Sequence, residues 1–74
     1  MEKEIKAVID QAIKENWFNE MTTSDLQGVC EAQAFNIIKK YNPAFSLKQE
    51  KSYIPVMEVS DQILSGIYDR VNPF

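Results

Sequence analysis

Apolar residues recur along this chain at helical rather than strand spacing. In the first segment Ile5, Val8, Ile9, Ala12, Ile13 and Trp17 fall on one face, and Glu4, Lys6, Asp10, Lys14 and Glu15 lie mostly outside it. Glu2 and Glu4 stand where the positive end of a helix dipole favours acids. The pattern predicts an amphipathic helix over residues 3–17. FNEMTTSD then breaks the period. Thr22 and Asp25 have the T-x-x-D spacing of a capping box, which starts a second helix near Thr23. Asn42-Pro43 stops it after Tyr41. Measured from Leu26 at helical spacing, Ile37, Cys30, Tyr41, Ala34 and Ile38 follow within an arc of about 120°. The stripe passes through Gly28 without a change of phase, so periodicity favours one uninterrupted helix over residues 23–41.

The last segment, YIPVMEVSDQILSGIYDRVNPF, is ambiguous at its start. Tyr53–Met57 is rich in aromatic and branched residues, which suits a short extended piece before a helix capped by Ser60. Alternatively Pro55 occupies the first helical turn, and Val56, Val59, Ile63, Leu64, Ile67, Tyr68 and Val71 make one stripe. The longer helix, residues 55–71, is the expectation. Gly66 weakens it by about 1 kcal/mol relative to alanine, and Asn72-Pro73 ends it. The fold class is therefore all-α: a single small domain over residues 1–74, built as a compact three-helix bundle. A helix-turn-helix arrangement and an extended stretch near 53–57 are the variants left open.

Composition adds limits. At 74 residues, 45% hydrophobic and 26% charged, the chain is globular but buries only a thin core. With no disulfide pair or zinc-ligand spacing to staple it, a homodimer or an obligate complex is a reasonable expectation. The single cysteine and absence of histidine suit a reducing, cytoplasmic setting. MEKEIKAVID is acidic and amphipathic, unlike a signal peptide. No apolar run reaches the roughly 20 residues that span a bilayer. The net charge of −3 conceals an asymmetry: Lys39, Lys40, Lys48 and Lys51 against Glu50 make a basic island between acidic ends. Such an island meets phosphates, an acidic protein surface or only solvent.

MTTSDLQGVCEAQAFNIIKKYN, followed by YIPVMEVSDQIL, resembles the small helix-turn-helix, excisionase-like regulators of phages and integrative elements. Gly28-Val29 matches the glycine-plus-apolar turn of that family, and Ala34-Phe35, Ile37-Ile38, Lys39 and Asn42 match the helix that follows. The resemblance implies that Glu31, Gln33, Asn36, Lys39 and Lys40 face double-stranded DNA. Gln33 and Asn36 would read base edges and the lysines would meet phosphates. It departs from the family pattern at Thr23 and Gln27, where apolar packing residues are usual, and at Cys30, where a serine or threonine normally caps the recognition helix. With Lys48 and Lys51 from the basic island, Gln33, Asn36, Lys39 and Lys40 form the candidate DNA contact.

Phe35 fits neither picture. On a continuous helix it lies opposite the Leu26 stripe, beside Gly28, Ala32 and Lys39. An aromatic among small residues on a polar face marks a second packed surface, which the third helix, a twin subunit or another protein could cover. Phe35, Ala32, Tyr41 and Phe45 are accordingly the candidate protein-interaction residues. Catalysis is not expected. Without histidine Cys30 lacks an imidazole to activate it, and Glu58 with Asp61 read as a solvated helix start. No phosphate loop, metal-ligand spacing, cofactor motif or small-molecule site is evident. The leading expectation is a small non-enzymatic DNA-binding regulator of a phage or mobile element. The alternative is a protein–protein interaction module, such as a phage-encoded inhibitor of a host enzyme or defence nuclease, or a small adaptor.

Overall fold

A computed structural model of the chain describes residues 1–46, 48 and 53–71. Among the described residues four helices follow one another: α1 (Glu2–Lys14), α2 (Trp17–Glu20), α3 (Thr23–Tyr41) and α4 (Tyr53–Val71). The long ones, α1, α3 and α4, make the bundle, and α2 is a single turn between the first two. No strand occurs among the described residues. The all-α expectation therefore holds. Two details differ from it.

The first helix stops at Lys14 rather than continuing through Trp17. Asn16 adopts a left-handed conformation, φ 58° and ψ 42°, which asparagine tolerates better than most residues. Its side-chain oxygen accepts from Asn19 Nδ2 at 2.8 Å. The reversal lets Trp17 begin α2 and still enter the core, its indole N–H donating to Glu15 Oε1 at 3.3 Å. The second difference is only a bound: the longer helix expected over residues 55–71 is present and starts earlier, at Tyr53, so the extended variant at Tyr53–Met57 does not occur. Pro55 lies within the first turn, where a missing N–H costs nothing. The branched residues there pack in helical phase, with Val56 and Val59 both buried.

The choice at Gly28 is also settled. α3 runs unbroken for 19 residues, Gly28 has no positive φ, and no turn divides the helix. Thr22 starts it, Oγ1 accepting from the Asp25 N–H at 3.1 Å. Leu26, Cys30, Ala34, Ile37 and Ile38 form its buried stripe. Against this pack Ile5, Val8 and Ala12 from α1, Trp17 from α2, and Val56, Val59, Ile63 and Ile67 from α4. Asn42-Pro43 ends α3 as its sequence requires; Asn72-Pro73 lies outside the described residues, as does Leu47.

A few contacts fix how the helices run. Glu4 near the start of α1 meets Lys40 and Tyr41 at the end of α3, so these two helices are antiparallel. Phe18 of α2 stacks edge-on against Tyr68 late in α4, ring centroids 5.4 Å apart, which brings the turn after α1 to the C-terminal end of α4. Ile9 rests against Gly66, and Asp10 pairs with Arg70. α1 and α4 are thus parallel, with α3 antiparallel to both. Gly66 leaves room for α1: a Cβ there would run into the Ile9 side chain. The first turns of α4 are packed as well, with Val56, Val59 and Ser60 buried.

Candidate interaction surfaces

The residues expected to meet DNA do not form one open face. Gln33, Asn36 and Lys40, at i, i+3 and i+7, make a row along α3. Gln33 is half-buried at the edge of the core stripe, and only Asn36 and Lys40 are open. Lys40 Nζ lies 3.6 Å from Glu4 Oε1. Lys39 is exposed on the neighbouring row, its ammonium 5.7 Å from the Phe35 ring centroid. Lys48 is exposed in the connector, where its backbone N–H donates to Ser46 Oγ at 3.2 Å. Lys51 lies outside the described residues. Asn36 and Lys39 are the pair that α3 presents to solvent together, and Asp25 shares that outer face.

The residues expected to meet a protein divide similarly. Phe35 is half-buried, tilted at 48° against Phe45 with centroids 5.7 Å apart, so the connector covers much of its ring. Ala32 is exposed on the same side of α3. Tyr41 is exposed along its ring, but its hydroxyl is 2.7 Å from both Glu4 carboxylate oxygens. That hydroxyl is the main reason the Glu4 carboxyl is lowered to about 2, and the same bond raises the Tyr41 phenol. Lys40, Tyr41 and Glu4 therefore act first as a latch between the start of α1 and the end of α3.

The largest open apolar feature lies elsewhere. Tyr53, Ile54 and Met57, in the first turns of α4, are 55%, 62% and 42% exposed. They lie on the outward side of these turns, whose inward side carries buried Val56. Ile54 stands about 180° around α4 from Ile63, on the outermost line of the helix. Together the three leave on the order of 300 Å² of largely apolar surface in water, comparable to the largest patch on an ordinary monomer. A signal for it existed in the sequence: once Val56 and Val59 are assigned to the stripe, Tyr53, Ile54 and Met57 are surplus apolar residues. Ambiguity between strand and helix in this stretch hid that surplus.

Cys30 is fully buried, and burial pushes its thiol up to about 11, so it stays protonated and unreactive at neutral pH. Among the described residues no three His, Cys, Asp or Glu side chains gather to hold a metal ion, and no helix is long and apolar enough to cross a membrane. Fold and surface together define a small helical domain with an apolar knob at one end. Comparison with protein-family models, curated proteins and solved structures returned no match.

Proposed function

We propose that the chain is a small non-catalytic protein-binding module, an inhibitor or adaptor in kind, that docks a partner through the exposed outer side of the start of α4. The observation that carries this reading is the exposed cluster of Tyr53, Ile54 and Met57. Aromatic residues and methionine are the types enriched at interface centres, and the cluster lies on the side of α4 turned away from buried Val56 and Val59. A cytoplasmic setting suits the single buried thiol. A display selection of helical peptides against the protein tests the reading, with an Ile54→Ser/Met57→Ser variant for counter-selection. Binders retained by the wild type and lost by the variant are expected. Enrichment indifferent to those two changes refutes it.

A second reading is DNA binding in the manner of the excisionase-like regulators. Exposed Asn36 and Lys39 favour it, with Lys48 following in the connector. It makes a separable prediction. A labelled random duplex should bind at micromolar concentration with steep salt dependence, and Lys39→Glu with Lys40→Glu should abolish that binding. The protein-binding reading expects a flat titration.

A further inference from the structure

The outer surface of α4 says more about its partner than exposure alone. Ile54, Glu58, Asp61, Ser65 and Asp69, at i, i+4, i+7, i+11 and i+15, form one exposed line down the helix. Met57 adjoins its apolar end. The three carboxylates on this line face no cation of their own helix, because the only one in α4, Arg70, is paired with Asp10 of α1. The line is thus apolar at its start and acidic for the remainder.

Area and charge together select the occupant. The apolar knob is far smaller than the roughly 800 Å² per partner of a stable specific interface, so whatever binds must also cover the acidic line. A second copy of this chain would bring carboxylates against carboxylates, which disfavours it. A basic partner meets both requirements. Resting on the protein-binding reading above, we propose that α4 receives a basic amphipathic helix. Its apolar residues seat on Tyr53, Ile54 and Met57, and its lysines or arginines reach Glu58, Asp61 and Asp69. The 19 residues of α4 offer a track of about 28 Å, enough for several turns of such a helix. Lysine and arginine stems can lie along the helix while their charged ends reach the carboxylates.

The composition of selected peptides tests this. A helical library is displayed with apolar positions fixed at i, i+3, i+4 and i+7, and flanking positions randomised over Lys, Arg, Glu, Asp and Ser. Enriched sequences should be rich in Lys and Arg. Their affinity should fall at least about tenfold on Ile54→Ser/Met57→Ser and by a similar factor on Glu58→Lys/Asp61→Lys. All four positions are exposed, and unchanged helicity and melting of both variants verify the fold. Enrichment of acidic or uncharged peptides that still need Ile54 and Met57 overturns the basic partner but leaves the docking reading standing. Enrichment that ignores those two residues, or none, overturns both. A wild-type dimer in sedimentation that Ile54→Ser dissociates assigns the patch to a second copy and also overturns the proposal.

Discussion

Replacing Gly28 with alanine distinguishes an unbroken α3 from a helix-turn-helix by the sign of a stability change. In a helix interior alanine is favoured over glycine by about 0.8–1.0 kcal/mol, because glycine loses more backbone freedom on folding. Gly28 sits well inside α3, its φ is not positive, and nothing lies within 4 Å of where a Cβ would point. The full propensity gain should therefore appear, less any helix already present in the unfolded chain, leaving about 0.5–1 kcal/mol. Unfolding entropy of about 2.1 cal/mol/K per residue converts this to a rise in Tm of roughly 3–6 °C for a domain of this size. Thermal melts followed by far-UV circular dichroism, paired with urea midpoints at constant m, measure it. At a turn glycine with positive φ, alanine would instead lose roughly 1–2 kcal/mol. A fall in Tm would therefore refute the continuous helix and revive the recognition-helix assignment.

Gly66→Ala should gain less than Gly28→Ala: the same propensity benefit meets the Ile9 side chain, whose end must shift to admit a Cβ. Ile9→Val in the same chain should recover the difference in paired melts. Ile63→Ala removes a fully buried side chain at the centre of α4 and should cost about 2–5 kcal/mol, seen as a lower urea midpoint or as an unfolded chain at 25 °C. Glu4 gives a pH test. Its carboxyl falls from 4.5 to about 2 on folding, owing first to the Tyr41 hydroxyl, with Lys40 at 3.6 Å and the chain's amino group at 3.3 Å also facing it. A lowered carboxyl contributes stability that is fully present above the unfolded value and lost as pH falls from about 4.5 towards 2. Tyr41→Phe should bring the Glu4 titration, followed by side-chain carbonyl NMR, back towards 4.5 and flatten the loss of Tm over that interval. An unshifted wild-type Glu4 would contradict the latch.

Most of the core was legible in the sequence because helical period reports burial directly. Leu26, Cys30, Ala34, Ile37 and Ile38 share one arc, and they are the buried residues of α3. The run through Gly28 was readable for the same reason, since phase survives a residue with poor helix propensity. What period could not supply was the left-handed Asn16. A single backbone reversal there divides an apolar stripe without disturbing it, so Trp17 looked like the end of α1 while serving as the start of α2. Tyr53–Met57 was harder for a different reason. Branched and aromatic residues favour a strand locally, and only packing of Val56 and Val59 onto the core overrides that preference. The seating of α1 on α4 depends on the fit of Ile9 against Gly66. No local pattern encodes such a contact between residues far apart in the chain.

The packing of α1 against α3 bears on how the lysines of the basic island are presented. Exposed ion pairs contribute little energy, so the Lys40–Glu4 contact does not by itself withhold Lys40 from a phosphate. Geometry matters more. Glu4 stands 3.6 Å from the Lys40 ammonium and is held ionised by Tyr41, so a phosphate approaching Lys40 meets a fixed negative charge. Lys39 faces away from that row, over Phe35. The end of α3 therefore presents positive charge in separate directions, each close to a group that has its own use for it. The outer line of α4 is the reverse case: Glu58, Asp61 and Asp69 point the same way along one rigid helix, beside an apolar knob that nothing in the described fold covers. Charge that is aligned and adjacent to apolar surface favours a matching partner more than charge that is merely clustered in sequence. This alignment is why α4, rather than the lysine-rich end of α3, is the face on which to look for function.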